Sequence, residues 1–404
     1  MTPAFAQLWP ETFRYAKKHS PFYRERFRKF KNVPSLHDLP TVDKTVLSRR
    51  NGDFLCVSES RTAEIVTTSG TTGRPLLWRL TANDVNRLAL NEKISFECAG
   101  LTPHDTVMVA VALDRCFIAG LAYWRGLTEL GCAVVRVGAS SSLLVLEMIQ
   151  RVKPTAIVAV PSFLRHVADK AREQKFDLAR SSVRKAVCIG EPVRTADFKL
   201  NVSGALIEKS WGAKVFSTYG VTELANSLCE CSAGRGGHLH ENQLHLEILD
   251  DAGKVLPDGE TGEVVATTFG VEAMPLIRYR TGDCAAMFSA QCRCGRTTPR
   301  LGPIVGRKNQ KLKFKGASLF PSTLSAALEE SGVTKFVIIA RAENSLSDSV
   351  EILFHGDSKI PALREIIQAR ARIVPQIRRV SQAEIEKLQL PPDARKRRTF
   401  VDLR

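Results

Sequence analysis

The sequence predicts an α/β protein with a large N-terminal domain, residues 1–306, and a small C-terminal α+β lid domain, residues 307–404. Apolar runs alternate with helical stretches between about residues 60 and 220, shorter strands with turn sequences follow Leu244, and strands and helices alternate closely after Arg307. Strands of a parallel sheet are buried on both faces, so they appear as continuous apolar runs. A chain of 404 residues also exceeds what one hydrophobic core usually serves.

The predicted elements follow this division in order along the chain. Two helices are predicted at residues 4–18 and 21–30, where apolar side chains recur at helical spacing. The parallel strands are expected at residues 107–113, 133–137, 156–160, 187–189 and 215–217, with helices at 142–152 and 163–174 among them. After Leu244, turn sequences at 250–253 and 257–259 indicate an antiparallel, barrel-like β segment. The lid is expected to contain helices at 322–331 and 361–373 and strands at 335–341 and 349–354.

The charge of the chain favours anionic partners. Lysine and arginine number 58 against 42 acidic residues, a formal net charge of +16, which suits phosphorylated cofactors, an acidic carrier protein, nucleic acid or an anionic membrane surface. No zinc-finger or aromatic-interleaved basic pattern indicates nucleic-acid binding. No apolar run approaches the roughly 20 residues of a membrane helix, and the first residues lack a secretory pattern. We therefore expect a cytoplasmic protein with no membrane span and no nucleic-acid partner.

The densest chemical signal is the segment 67–75, Thr-Thr-Ser-Gly-Thr-Thr-Gly-Arg-Pro, which follows a strand-like stretch at 63–66. Gly70 and Gly73 allow backbone amides to close on an anion, and Arg74 supplies a cation. Hydroxyl donors come from Thr68, Ser69, Thr71 and Thr72. The G-x-x-x-x-G-K spacing is absent. The composition predicts a phosphate-binding loop, and an ordinary polar turn is the alternative.

Ten cysteines in a chain of this length do not suggest a disulfide framework. We expect buried core thiols at Cys56, Cys98, Cys116, Cys132 and Cys188.

A second group of cysteines has a different pattern. Cys231, His238, Cys292 and Cys294 would supply three thiolates and an imidazole, the ligands of a tetrahedral structural Zn²⁺ site. Cys229 or His240 could replace one of these ligands. The alternative is a set of buried thiols with a surface histidine.

Three further motifs occur in a fixed order. They are Tyr219-Gly220-Val221-Thr222-Glu223, Tyr279-Arg280-Thr281-Gly282-Asp283 and Gly306-Arg307. Together with the loop at 67–75, their order and distances resemble the adenylate-forming superfamily of acyl-CoA synthetases. The segments 189–192 and 273–280 most resemble phenylacetate-coenzyme A ligases, and the similarity runs over nearly the whole chain.

The resemblance implies an ATP-dependent ligase that converts a carboxylic acid to an acyl-adenylate, releases pyrophosphate and passes the acyl group to coenzyme A. It implies that the 68–73 loop and Arg74 hold phosphates, that Glu223 binds Mg²⁺, and that Lys396 neutralises charge on the reacting oxygens. A helix-cap acid is the alternative at Glu223, and a basic tail is the alternative at Lys396.

The same resemblance places the nucleoside and the acid. Tyr219 would stack on adenine, Asp283 would accept hydrogen bonds from the ribose hydroxyls, and Arg307 would lie near the ribose and phosphates. The other implied nucleotide-site residues are Gly190, Glu191, Pro192, Gly220 and Thr222. The segments 111–119 and 187–191 resemble the walls of the acyl pocket.

Several positions depart from the family pattern. Arg74 stands where lysine is common, Asn309 replaces an acidic hinge residue, and Arg395 stands where a glycine precedes the lysine. Ile189 is bulkier than the usual glycine, so we expect an aryl or short acyl acid rather than phenylacetate itself.

Two alternatives remain open at this point. One is acyl transfer to a carrier-protein phosphopantetheine or a protein cysteine, and the other is a non-catalytic nucleotide-binding regulatory protein. The oligomeric state, a homodimer included, is also open.

Overall fold

The computed structural model describes residues 2–68, 76–114, 116–314, 317–344, 347–390 and 398–404. The chain folds into two units. The first comprises the residues up to Thr281 together with Ala285–Ile304, and the second comprises Gly282–Cys284 and Val305–Arg404. None of the described helices combines the length and apolar character that a bilayer crossing requires. The predicted domain division, at 306 and 307, stays a prediction.

The N-terminal part of the first unit is helical, followed by a hairpin. Its elements are α1 (Pro3–His19), α2 (Pro21–Arg26), α3 (Lys44–Arg49), β1 (Thr62–Thr67) and β2 (Leu77–Thr81). Each helix starts at a polar N-cap, because the side chains of Thr2, Ser20 and Asp43 accept backbone N–H bonds. The apolar face of α1 packs into an aromatic core with α2. The second predicted helix is shorter than expected, since it ends at Arg26.

A six-stranded sheet forms the centre of this unit. The elements are α4 (Ala82–Cys98), β3 (Thr106–Ala110), α5 (Ile118–Leu130), β4 (Ala133–Arg136), α6 (Ser142–Val152), β5 (Ala156–Ala159), α7 (Pro161–Glu173), β6 (Lys185–Ile189), α8 (Val202–Trp211), β7 (Lys214–Val221) and β8 (Asn226–Cys229). The strand order is β4-β3-β5-β6-β7-β8, all parallel except β8. Helices α4 and α5 cover one face, and α6 to α8 cover the other. The predicted α/β class is confirmed.

A second six-stranded sheet follows. Its strands are β9 (Gly237–His238), β10 (Leu244–Leu249), β11 (Thr261–Thr268), β12 (Tyr279–Phe288), β13 (Arg300–Leu301) and β14 (Gly306–Arg307). The order is β10-β11-β12-β13-β9, and β14 also pairs with β12. The predicted antiparallel segment is present, but its described strands form an open path rather than a closed barrel. Strands of two residues, such as β9 and β13, are too short to carry the ladder round to β10.

The second unit continues with alternating strands and helices. They are β15 (Leu312–Phe314), β16 (Ala317–Leu319), α9 (Pro321–Glu330), β17 (Lys335–Asn344), β18 (Ser347–His355), α10 (Ile360–Ala371), β19 (Gln376–Arg379), α11 (Gln382–Gln389) and β20 (Phe400–Leu403). Its sheet has the order β19-β18-β17-β20. Helices α9 and α10 pack on one face and α11 on the other, which agrees with the predicted α+β pattern.

Two of the sequence expectations need correction or extension. Cys56, Cys98, Cys132 and Cys188 are buried as expected, but Cys116 is exposed because its residue lies on the turn before α5, with a left-handed φ of 53°. Helices α4, α5 and α8 were not predicted.

Candidate active site

The stem of the predicted phosphate loop is well defined. Thr67 pairs with Leu77 across the β1–β2 hairpin. Thr68 is buried, its N–H donates to the Leu76 carbonyl at 3.1 Å, and its Oγ1 accepts from the Leu76 N–H at 3.3 Å. Ser69, Gly70, Thr71, Thr72, Gly73 and Arg74 lie outside the described residues. The hairpin therefore fixes where both ends of the loop emerge.

The predicted segment at 190–192 follows the carboxyl end of β6. Gly190 has a φ of +72°, a left-handed conformation that glycine adopts without strain. The Glu191 carboxylate accepts hydrogen bonds from the Ser162 N–H at 2.8 Å and the Ser162 Oγ at 2.6 Å, so it caps the first turn of α7. The carbonyl of Pro192 accepts from Asn201 Nδ2 at 2.9 Å. The structure thus assigns the Glu191 side chain to a helix cap.

Tyr219, Gly220 and Thr222 lie where β7 passes into a 3₁₀ turn, Thr222–Leu224. The turn ends at Ala225, a non-glycine residue with a φ of 45°. Arg87 on α4 holds this unusual backbone, since its Nη1 donates to the Ala225 carbonyl at 3.1 Å and its Nη2 to Asn226 Oδ1 at 2.7 Å. The turn that carries Glu223 is consequently fixed by a residue that sequence analysis did not identify.

Glu223 is a buried carboxylate with two polar partners. Its Oε1 lies 3.3 Å from Lys44 Nζ and 3.4 Å from the Tyr279 hydroxyl. Lys44 is about one-third exposed, whereas Glu223 is 6% exposed. Parallel sheets bind ligands beyond the carboxyl ends of their strands, and Glu223 lies just beyond the end of β7. The arrangement places an acidic oxygen, balanced by a partly exposed cation, where a ligand is expected.

The segment before Lys44 is attached to β12. The N–H of Val42 donates to the Arg278 carbonyl at 2.9 Å, and the N–H of Arg280 donates to the Val42 carbonyl at 2.7 Å. Arg278 Nη1 also donates to the Leu39 carbonyl at 2.6 Å. Lys44 reaches Glu223 through this long-range pairing, so no local sequence pattern could have identified it.

Asp283 and Arg307, both in the second unit, are brought together by the pairing of β12 with β14. They are direct partners in the register, and Arg307 Nε donates to Asp283 Oδ1 at 3.2 Å. Asp283 is buried, whereas the Arg307 side chain is exposed. Lys396 lies outside the described residues.

The four predicted metal ligands converge. The ligand atoms of Cys231, His238, Cys292 and Cys294 all lie within 4.8 Å of one another. The Sγ atoms of Cys231 and Cys292 are 3.6 Å apart, and Cys294 Sγ is 3.4 Å from His238 Nε2. Tetrahedral zinc with thiolates at about 2.3 Å would separate two sulfurs by about 3.8 Å. The spacing therefore fits a four-coordinate structural metal.

The protonation states in this cluster suit a metal. Burial lowers the pKa of His238 to about 4, which leaves the imidazole neutral near pH 7, and its Nδ1 is 3.1 Å from Thr298 Oγ1. Burial alone would raise the pKa of Cys294, but hydrogen bonds from Arg296 outweigh this effect and lower the pKa to about 7. The sulfur of Cys229 instead accepts from Thr218, and His240 pairs with Asn91. These two residues are therefore not members of the cluster.

One buried carboxyl group, on Glu92 of α4, leads to a prediction about pH. Burial raises its pKa from the ordinary 4.5 to about 8, and Tyr123 and Cys229 are the titratable groups facing it from α5 and β8. The folded state retains this proton between pH 4.5 and 8 while the unfolded chain loses it, so stability falls as the pH rises through that window. We expect Glu92→Gln to raise the Tm by roughly 5 °C at pH 8 but by little at pH 5.

Thermal unfolding of both proteins at the two pH values checks this prediction. An equal Tm difference at pH 5 and pH 8 would contradict it.

Comparison with known proteins agrees with this architecture. Residues 25–272 match the family described as AMP-binding enzyme. The phenylacetate-coenzyme A ligase of Thermus thermophilus is 31% identical over 350 residues, which are 83% of this chain and 77% of that ligase. The phenylacetate-coenzyme A ligase of Pseudomonas putida is 29% identical over 367 residues, 86% of this chain and 81% of that ligase.

A solved structure shows the same fold. It is 2-hydroxyisobutyryl-CoA ligase in the postadenylation state in complex with 2-HIB-AMP, with a TM-score of 0.84, 22% identity, and coverage of 98% of this chain and 88% of that one. The family match spans more than half of this chain, and relatives at about 30% identity cover most of it. The chain therefore belongs to the AMP-binding enzyme family.

Proposed function

We propose that this protein is an AMP-forming acid–thiol ligase, which activates an aryl or short acyl carboxylic acid with ATP and Mg²⁺ and transfers it to coenzyme A. The observation that carries the proposal is the buried carboxylate of Glu223, which follows Tyr219 just beyond the end of a parallel strand. Its charge is balanced by Lys44, a partly exposed cation. A hard carboxylate in that position suits Mg²⁺ beside phosphates. Relatives described as phenylacetate-coenzyme A ligases support the reaction class.

In the first step, a carboxylate oxygen of the acid attacks the α-phosphorus of ATP, and the bond to the bridging oxygen of pyrophosphate breaks. The loop that leaves the β1–β2 hairpin, with Thr68 and Arg74, would hold the departing phosphates by electrostatics. Lys396 would neutralise charge on the reacting oxygens. In the second step, the thiolate attacks the acyl carbon and AMP leaves.

The proposal also gives roles in nucleoside binding to Tyr219 and Asp283. Tyr219 would stack on adenine, and the Asp283 carboxylate would exchange its bond with Arg307 for the ribose hydroxyls. Because the Glu191 carboxylate caps α7, we propose that residues 190–192 contribute through their backbone. Gly220 and Thr222, in the same segment as Tyr219, would also contact the nucleotide.

The acceptor is proposed to be coenzyme A, with a carrier-protein phosphopantetheine as a second candidate. The net charge of +16 favours the second candidate, because an acidic carrier would be attracted to such a chain. Free coenzyme A agrees better with the reaction named for the relatives.

The test is product analysis with ATP, Mg²⁺ and a panel of aryl and short acyl acids, with and without coenzyme A. We expect acid-dependent formation of pyrophosphate and AMP, faster turnover with coenzyme A, and an acyl-coenzyme A product. Acid-dependent pyrophosphate that coenzyme A leaves unchanged would favour a protein acceptor. ADP and phosphate as products would contradict the proposal.

Lys44 gives a prediction specific to the metal at Glu223. Replacing it by methionine leaves the buried carboxylate without its cation, so we expect Lys44→Met to lower the Tm by about 3 °C without Mg²⁺. Mg²⁺ with ATP should narrow that gap, because the metal would replace the lost charge. Lys185→Met is the matched control. Lys185 Nζ lies 3.0 Å from the buried Asp105 Oδ2, and this ion pair is not part of the site. Equal rescue of both variants would contradict the assignment.

We also propose that Cys231, His238, Cys292 and Cys294 hold a structural Zn²⁺. When bound, the ion would supply cross-links between the segments that carry these residues. The purified chain should contain about one zinc by elemental analysis, and Cys292→Ser should abolish it and lower the Tm by several degrees. Cys56→Ala, a buried thiol outside the cluster, should retain the zinc. A zinc-free native protein whose Tm is unaffected by chelators would contradict the proposal.

A further inference from the structure

The carboxyl group of Glu92 is buried with few partners. Glu92 is 3% exposed, and its Oε2 is 2.7 Å from the Ser227 hydroxyl. Among the described residues it has no other hydrogen bond and no ion pair. Near neutral pH the group keeps its proton, so it offers one O–H donor and further acceptor capacity on its oxygens, and most of this hydrogen-bonding capacity is unused. Such an arrangement is costly, and buried groups of this kind tend to persist where they serve a ligand.

Close packing of α4 against α5 holds Glu92 in place. A Cβ atom added at Gly126 of α5 would lie 2.4 Å from the Cβ of Glu92, so only glycine permits this approach. A glycine inside a helix is destabilising relative to alanine. The two helices are therefore built to bring the Glu92 side chain against β8.

The carboxyl group lies next to the candidate nucleotide motif. Ser227 is the direct partner of Gly220 in the β7–β8 register, and a Cβ at Gly220 would lie 3.6 Å from the Ser227 Cβ. Glu92 therefore contacts the residue that packs against Gly220, one position from Tyr219. This is the carboxyl edge of the parallel strands, where α/β proteins bind ligands.

The carboxyl group also has neighbours in the apolar cluster that contains the walls expected for the acyl pocket. Val111, Ala119, Val187 and Ile189, from the two predicted wall segments, belong to one buried apolar cluster that also contains Tyr123 and Cys229. Glu92 interacts electrostatically with both Tyr123 and Cys229. An apolar pocket with one polar group at its margin selects ligands through that group.

We propose that Glu92 determines substrate specificity, and that the acid activated here carries a hydrogen-bond donor, a hydroxyl or an amine, on its acyl group. The inference rests on the proposed ligase function and narrows its substrate class. A plain aryl or alkyl acid would leave the second oxygen of the carboxyl group without a partner beside the bound substrate, whereas a donor-bearing acid would complete its hydrogen bonds.

The test uses matched acids with the wild type and with Glu92→Leu and Glu92→Gln. The acids form three sets, each with one plain acid, its hydroxy derivative and its amino derivative. The plain acids are phenylacetate and 3-phenylpropanoate, each substituted at the 4-position, and hexanoate, substituted at the 6-position. We expect the wild type to favour a donor-bearing acid by roughly 10- to 100-fold in kcat/KM of pyrophosphate release. Glu92→Leu should reverse this preference by gaining activity on the plain acid.

Glu92→Gln separates the two donor classes. It should keep a preference for the hydroxyl, because its amide oxygen still accepts, and lose any preference for the amine, because an amide cannot give up a proton to form an ion pair with the amine. Ser95→Ala is the matched control, because Ser95 Oγ lies 3.1 Å from Ser227 Oγ, the hydroxyl that also contacts Glu92. This variant should keep the wild-type preference. Thermal unfolding shows whether each variant is folded.

The outcomes distinguish this inference from the function on which it rests. Equal wild-type activity on the paired acids, or an unchanged preference in a folded Glu92→Leu protein, would overturn the inference while leaving the ligase function intact. Loss of preference in Ser95→Ala would assign the effect to local structure and would also overturn it. Failure of the wild type on every acid would overturn the ligase proposal and the inference together.

Discussion

Glu223→Gln should reduce acid-dependent pyrophosphate release by roughly 1,000-fold. The amide has nearly the same shape but no charge, so it would hold Mg²⁺ poorly beside the phosphates. We expect the remaining activity to need far more Mg²⁺ than the wild type, which a magnesium titration of the initial rate measures. Lys44 would then face a neutral partner instead of a carboxylate at 3.3 Å.

Tyr279→Phe is the matched control for this variant. It removes the second partner of the same Glu223 oxygen, a hydroxyl 3.4 Å away, and leaves the charge in place. We expect a reduction of only a few-fold and an unchanged magnesium requirement. A Glu223→Gln protein with wild-type magnesium dependence would show that this carboxylate does not bind the metal.

Lys396→Ala should separate the two half-reactions. Adenylate formation should fall by roughly 100- to 1,000-fold, because the lysine is proposed to neutralise charge on the α-phosphate and carboxylate oxygens as they react. Thioester formation from a supplied acyl-adenylate should continue, since that step builds no new bond to phosphorus. Pyrophosphate release measures the first step, and acyl-coenzyme A formation from synthetic adenylate measures the second.

Lys387→Ala controls for the loss of a positive charge in the same unit. Lys387 lies in the last turn of α11, and its removal should affect neither step. Loss of both steps in Lys396→Ala with a lowered Tm would indicate misfolding, and two unaffected steps would exclude Lys396 from catalysis.

The sequence predicted the parallel sheet because strands buried on both faces are continuous apolar runs, as at β3 and β5. It did not predict α4, whose buried face includes Asp84, Asn91, Glu92 and Ser95. Polar residues inside a helix hide its apolar period.

Helix α5 was obscured for a different reason. Gly120 and Gly126, which usually indicate turns, lie within it. A Cβ at Gly120 would be 2.3 Å from the Ala112 carbonyl oxygen, so close packing requires glycine there. That requirement is a property of the tertiary structure and leaves no local pattern.

The sequence identified candidate site residues in two ways. Tyr219 and Glu223 share one contiguous motif, and the proposed metal ligands are cysteines and a histidine, residue types that bind zinc. Lys44 and Arg87 come from segments distant in the sequence. Lys44 is brought to Glu223 by the backbone pairing of Val42 with the β12 segment, and Arg87 on α4 contacts the turn that carries Glu223. Glu191 was predicted from a motif, but its carboxylate binds Ser162 at the start of α7.

The central claim is that the acid is activated by attack of its carboxylate on the α-phosphate. The most direct measurement is mass spectrometry of AMP after turnover of an acid whose carboxylate carries ¹⁸O. The mechanism predicts one ¹⁸O atom in AMP, because the oxygen that attacks phosphorus remains there when the thiol displaces AMP. Unlabelled AMP, or ¹⁸O recovered in inorganic phosphate, would contradict adenylate formation.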